Sequence, residues 1–123
     1  MPTDAELAIL AVLWRRGPST VRVVHDELAG EHGTTYTTTL KLMQLMTQKG
    51  LLKRDTSQRS HVFRAARSAE RTQRSLVQKL VDAAFEGSTA ALAMRALATR
   101  PASKEELDEL EALIERMKAS SDD

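Results

Sequence analysis

Thr34-Thr35-Tyr36-Thr37-Thr38-Thr39-Leu40-Lys41-Leu42-Met43-Gln44-Leu45-Met46-Thr47-Gln48-Lys49-Gly50-Leu51-Leu52-Lys53-Arg54 decides the fold. Thr39, Leu42, Met43 and Met46 recur at helical spacing, so they form the inward face of a helix over about 35–49. Thr34 or Thr35 can cap its start and Gly50 closes it. Leu51-Leu52 then opens a strand that turns basic at Lys53-Arg54. A polar tip, Thr56-Ser57-Gln58-Arg59-Ser60, leads to His61-Val62-Phe63-Arg64, where Val62 alternates with polar neighbours. A helix running straight into a long-looped β-hairpin is the result.

Upstream lie two more helices. Thr3-Asp4-Ala5-Glu6 is a capping box, followed by Leu7, Leu10, Ala11 and Trp14 on one face and Ile9, Val12 and Leu13 on another. A helix apolar on two faces is buried on two sides, which places it at the centre of its domain. Gly17-Pro18 ends it. Ser19 or Thr20 caps the next helix, whose stripe is Val21, Val24 and Leu28, with Gly30 expected to follow its last turn and Gly33 to mark the turn beyond.

Downstream the pattern is wholly helical. Ser68 starts a helix carrying Leu76, Val77, Leu80, Val81 and Phe85, stopped by Gly87. Ser88 starts an alanine-rich one with Leu92, Met94 and Leu97. Ser103-Lys104-Glu105-Glu106 is a second capping box, opening a helix in which Leu107, Leu110, Ile114 and Met117 follow heptad spacing. Ser120–Asp123 is expected to fray.

The 123 residues carry 18 basic and 17 acidic side chains, a formal charge of +1. That balance hides an asymmetry. Residues 1–40 net −2, residues 41–74 net +7 (nine bases against Asp55 and Glu70), and residues 75–123 net −4. Charge segregated in this way points to nucleic acid or a membrane surface. No apolar stretch approaches the ~20 residues of a membrane span, and Met1 leads into Pro2-Thr3-Asp4 without a basic leader, so a cytoplasmic chain is expected. With no cysteine there is no disulfide, thiolate metal site or Cys nucleophile. No cofactor or metal is expected.

Three helices and a hairpin make a winged helix-turn-helix over residues 1–67: mainly α with a small β-hairpin, followed by a C-terminal helical dimerisation region over 68–123. In such a domain the third helix enters the major groove of double-stranded DNA and the hairpin touches flanking backbone. Residues 37, 38, 40, 41, 44, 45 and 48 then face outward. Thr37, Thr38 and Lys41 can address base edges or phosphate, and Leu40 can meet a thymine methyl or instead pack on the wing or second helix. Lys53, Arg54, Arg59 and Arg64 along the hairpin, with Asp55 the one acid between Lys41 and Arg67, read as a phosphate-facing surface. Three short C-terminal helices bury little alone. Two copies can cover Leu76, Leu80, Phe85, Leu92, Leu107, Leu110 and Ile114; packing against the first helix is the alternative.

Glu6–Trp14, Gly17–Val24, Tyr36–Gln44 and Lys49-Gly50-Leu51-Leu52, in that order, resemble the penicillinase-repressor (BlaI/MecI-type) family. The likeness is closest over residues 4–66 and continues more loosely through Phe85-Glu86-Gly87-Ser88 into the last helix. It implies a bacterial repressor, homodimeric through its C-terminal helices, on a palindromic operator, with a β-lactam response as one setting. Thr37, Thr38, Leu40, Lys41 and Arg59 match the family's DNA-contacting positions; Thr35, Lys53 and Arg54 complete the expected set. Leu45 stands where many members have Arg. The resemblance also implies a regulatory protease acting near Met94-Arg95-Ala96-Leu97, but the Asn-Phe pair of staphylococcal-type members is absent there. The Cys-x-Cys motifs of copper-responsive members are absent too.

Three rivals have less support. An enzyme would need converging His, acid and nucleophile, whereas His25, His32 and His61 are scattered and Gly30 is expected to separate the first two. A winged helix that binds protein would want an apolar face in place of the basic hairpin. A small-molecule-responsive regulator would want a pocket, and aromatics are 3% of the chain.

Overall fold

The computed structural model describes residues 1–32 and 34–121, with no account of the side chains of residues 29–32. Six helices and one hairpin follow in the order α1 (Asp4–Arg16), α2 (Val21–His32), α3 (Tyr36–Gln48), β1 (Leu52–Asp55), β2 (Val62–Ala65), α4 (Ala69–Ala84), α5 (Thr89–Thr99) and α6 (Lys104–Ser121). Residue packing divides the chain into two compact units, Met1–Gln78 and Lys79–Asp123.

The first unit is a winged helix-turn-helix. Its α1 begins with the expected capping box: Glu6 N–H donates to Thr3 Oγ1 (3.2 Å) and Thr3 N–H to Glu6 Oε1 (2.9 Å). Both apolar faces of α1 are used, because α2, α3 and β2 all pack on it. Ile9, Leu10, Val12 and Leu13 join Val21, Val24, Leu28, Met43, Met46, Leu52 and Phe63 in one buried cluster. Ala11 stays exposed. The Trp14 indole N–H donates to the Arg67 carbonyl (2.9 Å), tying the end of α1 to the chain leaving the wing.

Thr20, not Ser19, caps α2, accepting from Val23 N–H (3.2 Å). Ser19 is instead a one-residue third strand: its N–H donates to Phe63 O (2.9 Å) and its carbonyl accepts from Phe63 N–H (2.8 Å). Helix α2 does not end before Gly30 as expected but runs through it to His32. A glycine inside a helix costs about 1 kcal/mol relative to alanine, too little by itself to stop one. Gly33 lies outside the described residues, as do Asp122 and Asp123, while Ser120 and Ser121 are helical.

Helix α3 ends in a Schellman turn that aims the wing. Leu51 N–H reaches back to Met46 O (2.9 Å) and Gly50 N–H to Thr47 O (3.1 Å), with Gly50 at φ +84°. Strands β1 and β2 pair antiparallel with Leu52 opposite Ala65, Lys53 opposite Arg64, Arg54 opposite Phe63 and Asp55 opposite Val62. Alternation therefore turns Phe63, not Val62, into the core, alongside Leu52. The bulkier side chain takes the fully buried position.

In the second unit the serine caps fall as the spacing predicts. Ser88 accepts from Ala91 N–H (3.0 Å), and Ser103 and Glu106 exchange bonds of 3.1 and 3.0 Å. Val81 is its one buried residue among those described.

Candidate nucleic-acid interface

The outward face of α3 is built by its cap and its core stripe. Thr35 caps the helix, its Oγ1 accepting from Thr38 N–H (3.2 Å) and lying 3.0 Å from Thr38 Oγ1. Thr39, Met43 and Met46 turn inward and are buried. That registration leaves Thr37, Thr38, Lys41, Gln44, Leu45 and Gln48 exposed. Leu40 is the exception on this face: it is half-buried and packs against the core cluster.

The basic residues of the hairpin do not share one surface. Strand alternation places Lys53 and Arg64 directly opposite one another on the face that also carries Asp55 and Val62. Arg54 points to the other face, with Phe63. Like charges directly across a ladder repel, and Asp55, the neighbouring acid, is engaged by Ser57 N–H (2.9 Å), which holds its carboxyl below the usual range.

A concavity of about 330 Å³ joins α2, α3 and the wing. Its lining includes Arg22, Tyr36, Leu40, Gln44, Arg54, Arg59 and His61 and, among the described residues, no carboxylate. Arg54, Arg59 and Leu40 are thus brought together, while Thr37, Thr38, Lys41 and Lys53 are not part of this lining. Arg22 was missed by segmental charge, which counted it in an acidic stretch. Its place at the start of the helix preceding α3 is the signal that could have found it.

Two other basic residues of the 41–74 block have carboxylate partners. Lys49 Nζ lies 3.0 Å from Glu6 Oε2, and Glu6 is buried. The Thr3 backbone N–H, then Lys49, hold the Glu6 carboxyl below its ordinary value. Arg74 pairs with Glu70 at 3.0 Å along exposed α4. Among the histidines, His25 is half-buried, with Nδ1 3.0 Å from Thr39 Oγ1 and its ring edge-on to Tyr36. His61 is exposed at the wing. Because α2 is continuous through Gly30, that glycine does not separate His25 from His32 by a helix break, and the His32 side chain lies outside the described residues.

The expected dimerisation residues remain largely uncovered. Leu80, Leu107 and Ile114 are 42%, 41% and 49% exposed, and Leu76, Phe85, Leu92 and Leu110 are half-buried. No helix among the described residues is long and apolar enough to cross a membrane.

Comparison with curated proteins finds no match. Among solved structures, one similar chain comes from a study of the DNA-recognition and protein-interaction domains of HOP2 and its homologous DNA pairing properties. It is 20% identical, with a TM-score of 0.43, over 48% of this chain and 92% of that chain. The family model for the penicillinase repressor matches residues 2–116, nearly the whole sequence. The chain belongs to the penicillinase repressor family, a family of DNA-binding transcriptional regulators.

Proposed function

We propose that the protein represses transcription as a homodimer bound to a palindromic DNA operator, with residues 1–67 reading DNA and residues 68–123 joining the two copies. The concavity beside α3, lined by three guanidinium groups and, among the described residues, by no carboxylate, is the observation that carries this reading. A solvated surface mixes signs; a surface that gathers cations beside an exposed helix face is suited to phosphate oxygens. Thr37, Thr38 and Lys41 supply base-edge and phosphate donors from the first half of α3, with Thr35 at its cap. Arg54 and Arg59 approach the backbone from the wing, and Lys53 lies on the wing's other face.

Dimerisation is supported by what the second unit leaves exposed. A helical unit with one buried residue among those described lacks a core of its own, and short helices are marginal without packing. A second copy would cover Leu80, Leu107 and Ile114 and set two α3 helices about 34 Å apart, or a multiple of it. A β-lactam response and a regulatory protease belong to the family resemblance. The Met94-Arg95-Ala96-Leu97 stretch, which lacks the Asn-Phe pair, gives no support for cleavage there.

Selection from a random duplex library tests the reading. The protein should enrich a two-fold symmetric sequence. Failure to enrich any sequence would leave a winged helix without operator function.

A further inference from the structure

The concavity has an arm that neither α3 nor the wing supplies. We propose that Arg22, on the first turn of α2, is a DNA phosphate clamp, held in place by Tyr36 and restrained in the free protein by Asp26. This rests on the operator-binding reading above.

The Arg22 guanidinium carbon lies 4.2 Å from the centre of the Tyr36 ring. Cation–π attraction fixes the charge without consuming the guanidinium's N–H donors, so the fork stays available for oxygen. Tyr36 is itself anchored. The His25 ring meets it edge-on at 5.8 Å, and His25 is bonded to Thr39, whose hydroxyl donates to Thr35 O (3.3 Å). Arg22 is thereby tied to the first turn of α3, the helix whose face would enter the groove.

Asp26 is the resident anion, one turn along α2 with its Oδ1 3.8 Å from Arg22 Nη1. That is longer than a charge-assisted hydrogen bond of ~2.7–2.9 Å, and both side chains are more than half exposed. Such a pair is weak, so a phosphate arriving at the rim displaces it readily. Arg54 and Arg59 line the same concavity, so three guanidinium groups repel one another until an anion enters. An open site abutting the exposed face of α3 fits the backbone of a duplex docked on that face.

The test uses the full chain, a duplex enriched by the wild-type protein and a scrambled duplex of equal length, each titrated with salt. Arg22→Ala should weaken both duplexes by about tenfold, the scale of one charge-assisted bond. It should also reduce the slope of log K against log[salt] by roughly one per protomer. Tyr36→Leu should reproduce most of that loss, and the double variant should add little to either. Tyr36→Phe, which keeps the ring, should bind like wild type, and Asp26→Asn should bind more tightly. An unchanged salt slope in Arg22→Ala, beside a steep one in wild type, overturns the clamp and leaves operator binding intact. Loss of binding in Tyr36→Phe overturns the stacking account. A wild-type protein without salt-dependent DNA binding overturns both readings.

Discussion

Thr38 serves two purposes with one side chain. Its N–H and hydroxyl close the Thr35 cap of α3, and the side chain remains exposed on the helix face. Thr38→Ala keeps the capped N–H, so the helix should persist while the preference among duplex sequences changes. Arg59→Ala should instead weaken all sequences about equally, as a backbone contact does. Binding profiles over a duplex library separate the two; uniform weakening by both would contradict the assignment of α3 to base readout. The cap at Thr35 is legible in sequence because its partners lie three residues away. The Glu6–Lys49 pair is not, since its members are 43 positions apart and only the folded chain brings them within 3.0 Å. Glu6→Gln keeps an acceptor for Thr3 N–H but loses the charge facing Lys49, and should cost about 1 kcal/mol in urea unfolding near neutral pH. Because the folded-state value of Glu6 is lowered, its contribution is complete above about pH 4.5 and is lost as pH falls through the lowered value. The difference between wild type and Glu6→Gln should therefore shrink in acid.

Gly50 joins the two elements that define the domain. At φ +84° it closes the Schellman turn of α3 and aims β1. A Cβ there would meet no neighbour within 4 Å, so the obstacle is backbone conformation alone. Gly50→Ala should destabilise the domain by about 1 kcal/mol in thermal or urea unfolding; an unchanged stability would mean that the turn relaxes freely. The element order and the helix starts at Thr3, Ser88 and Ser103 follow from side-chain caps, which are local. Strand register is less legible: both Val62 and Phe63 are apolar, and a one-residue shift exchanges the faces. The Ser19–Phe63 bridge decides it, by pairing β2 with a residue from the α1–α2 turn that a linear reading can treat as a cap. The same register splits Lys53 and Arg64 from Arg54, so charge alternating along the sequence becomes two basic faces. Gly30 misled for the opposite reason, since a helix can cross one glycine when the flanking turns hold it.

At the scale of the molecule, net charge is the wrong statistic and its placement is the informative one. The +7 block of residues 41–74 commits Lys49 to buried Glu6, and the concavity gains Arg22 from the acidic first segment. The acidic final segment carries no matching cation excess, which leaves the winged-helix unit as the surface suited to DNA. The exposed leucines of the second unit then make homodimerisation and operator symmetry one claim, because two copies give two α3 helices related by a two-fold axis. One measurement tests that claim most directly: the salt dependence and stoichiometry of binding to a duplex enriched by the protein. The homodimer reading predicts two copies per duplex and, with Arg22, Arg54 and Arg59 of each copy neutralising one phosphate apiece, a log K against log[salt] slope of about −5, roughly 0.9 per phosphate. One copy per duplex, or a slope near zero, would contradict it.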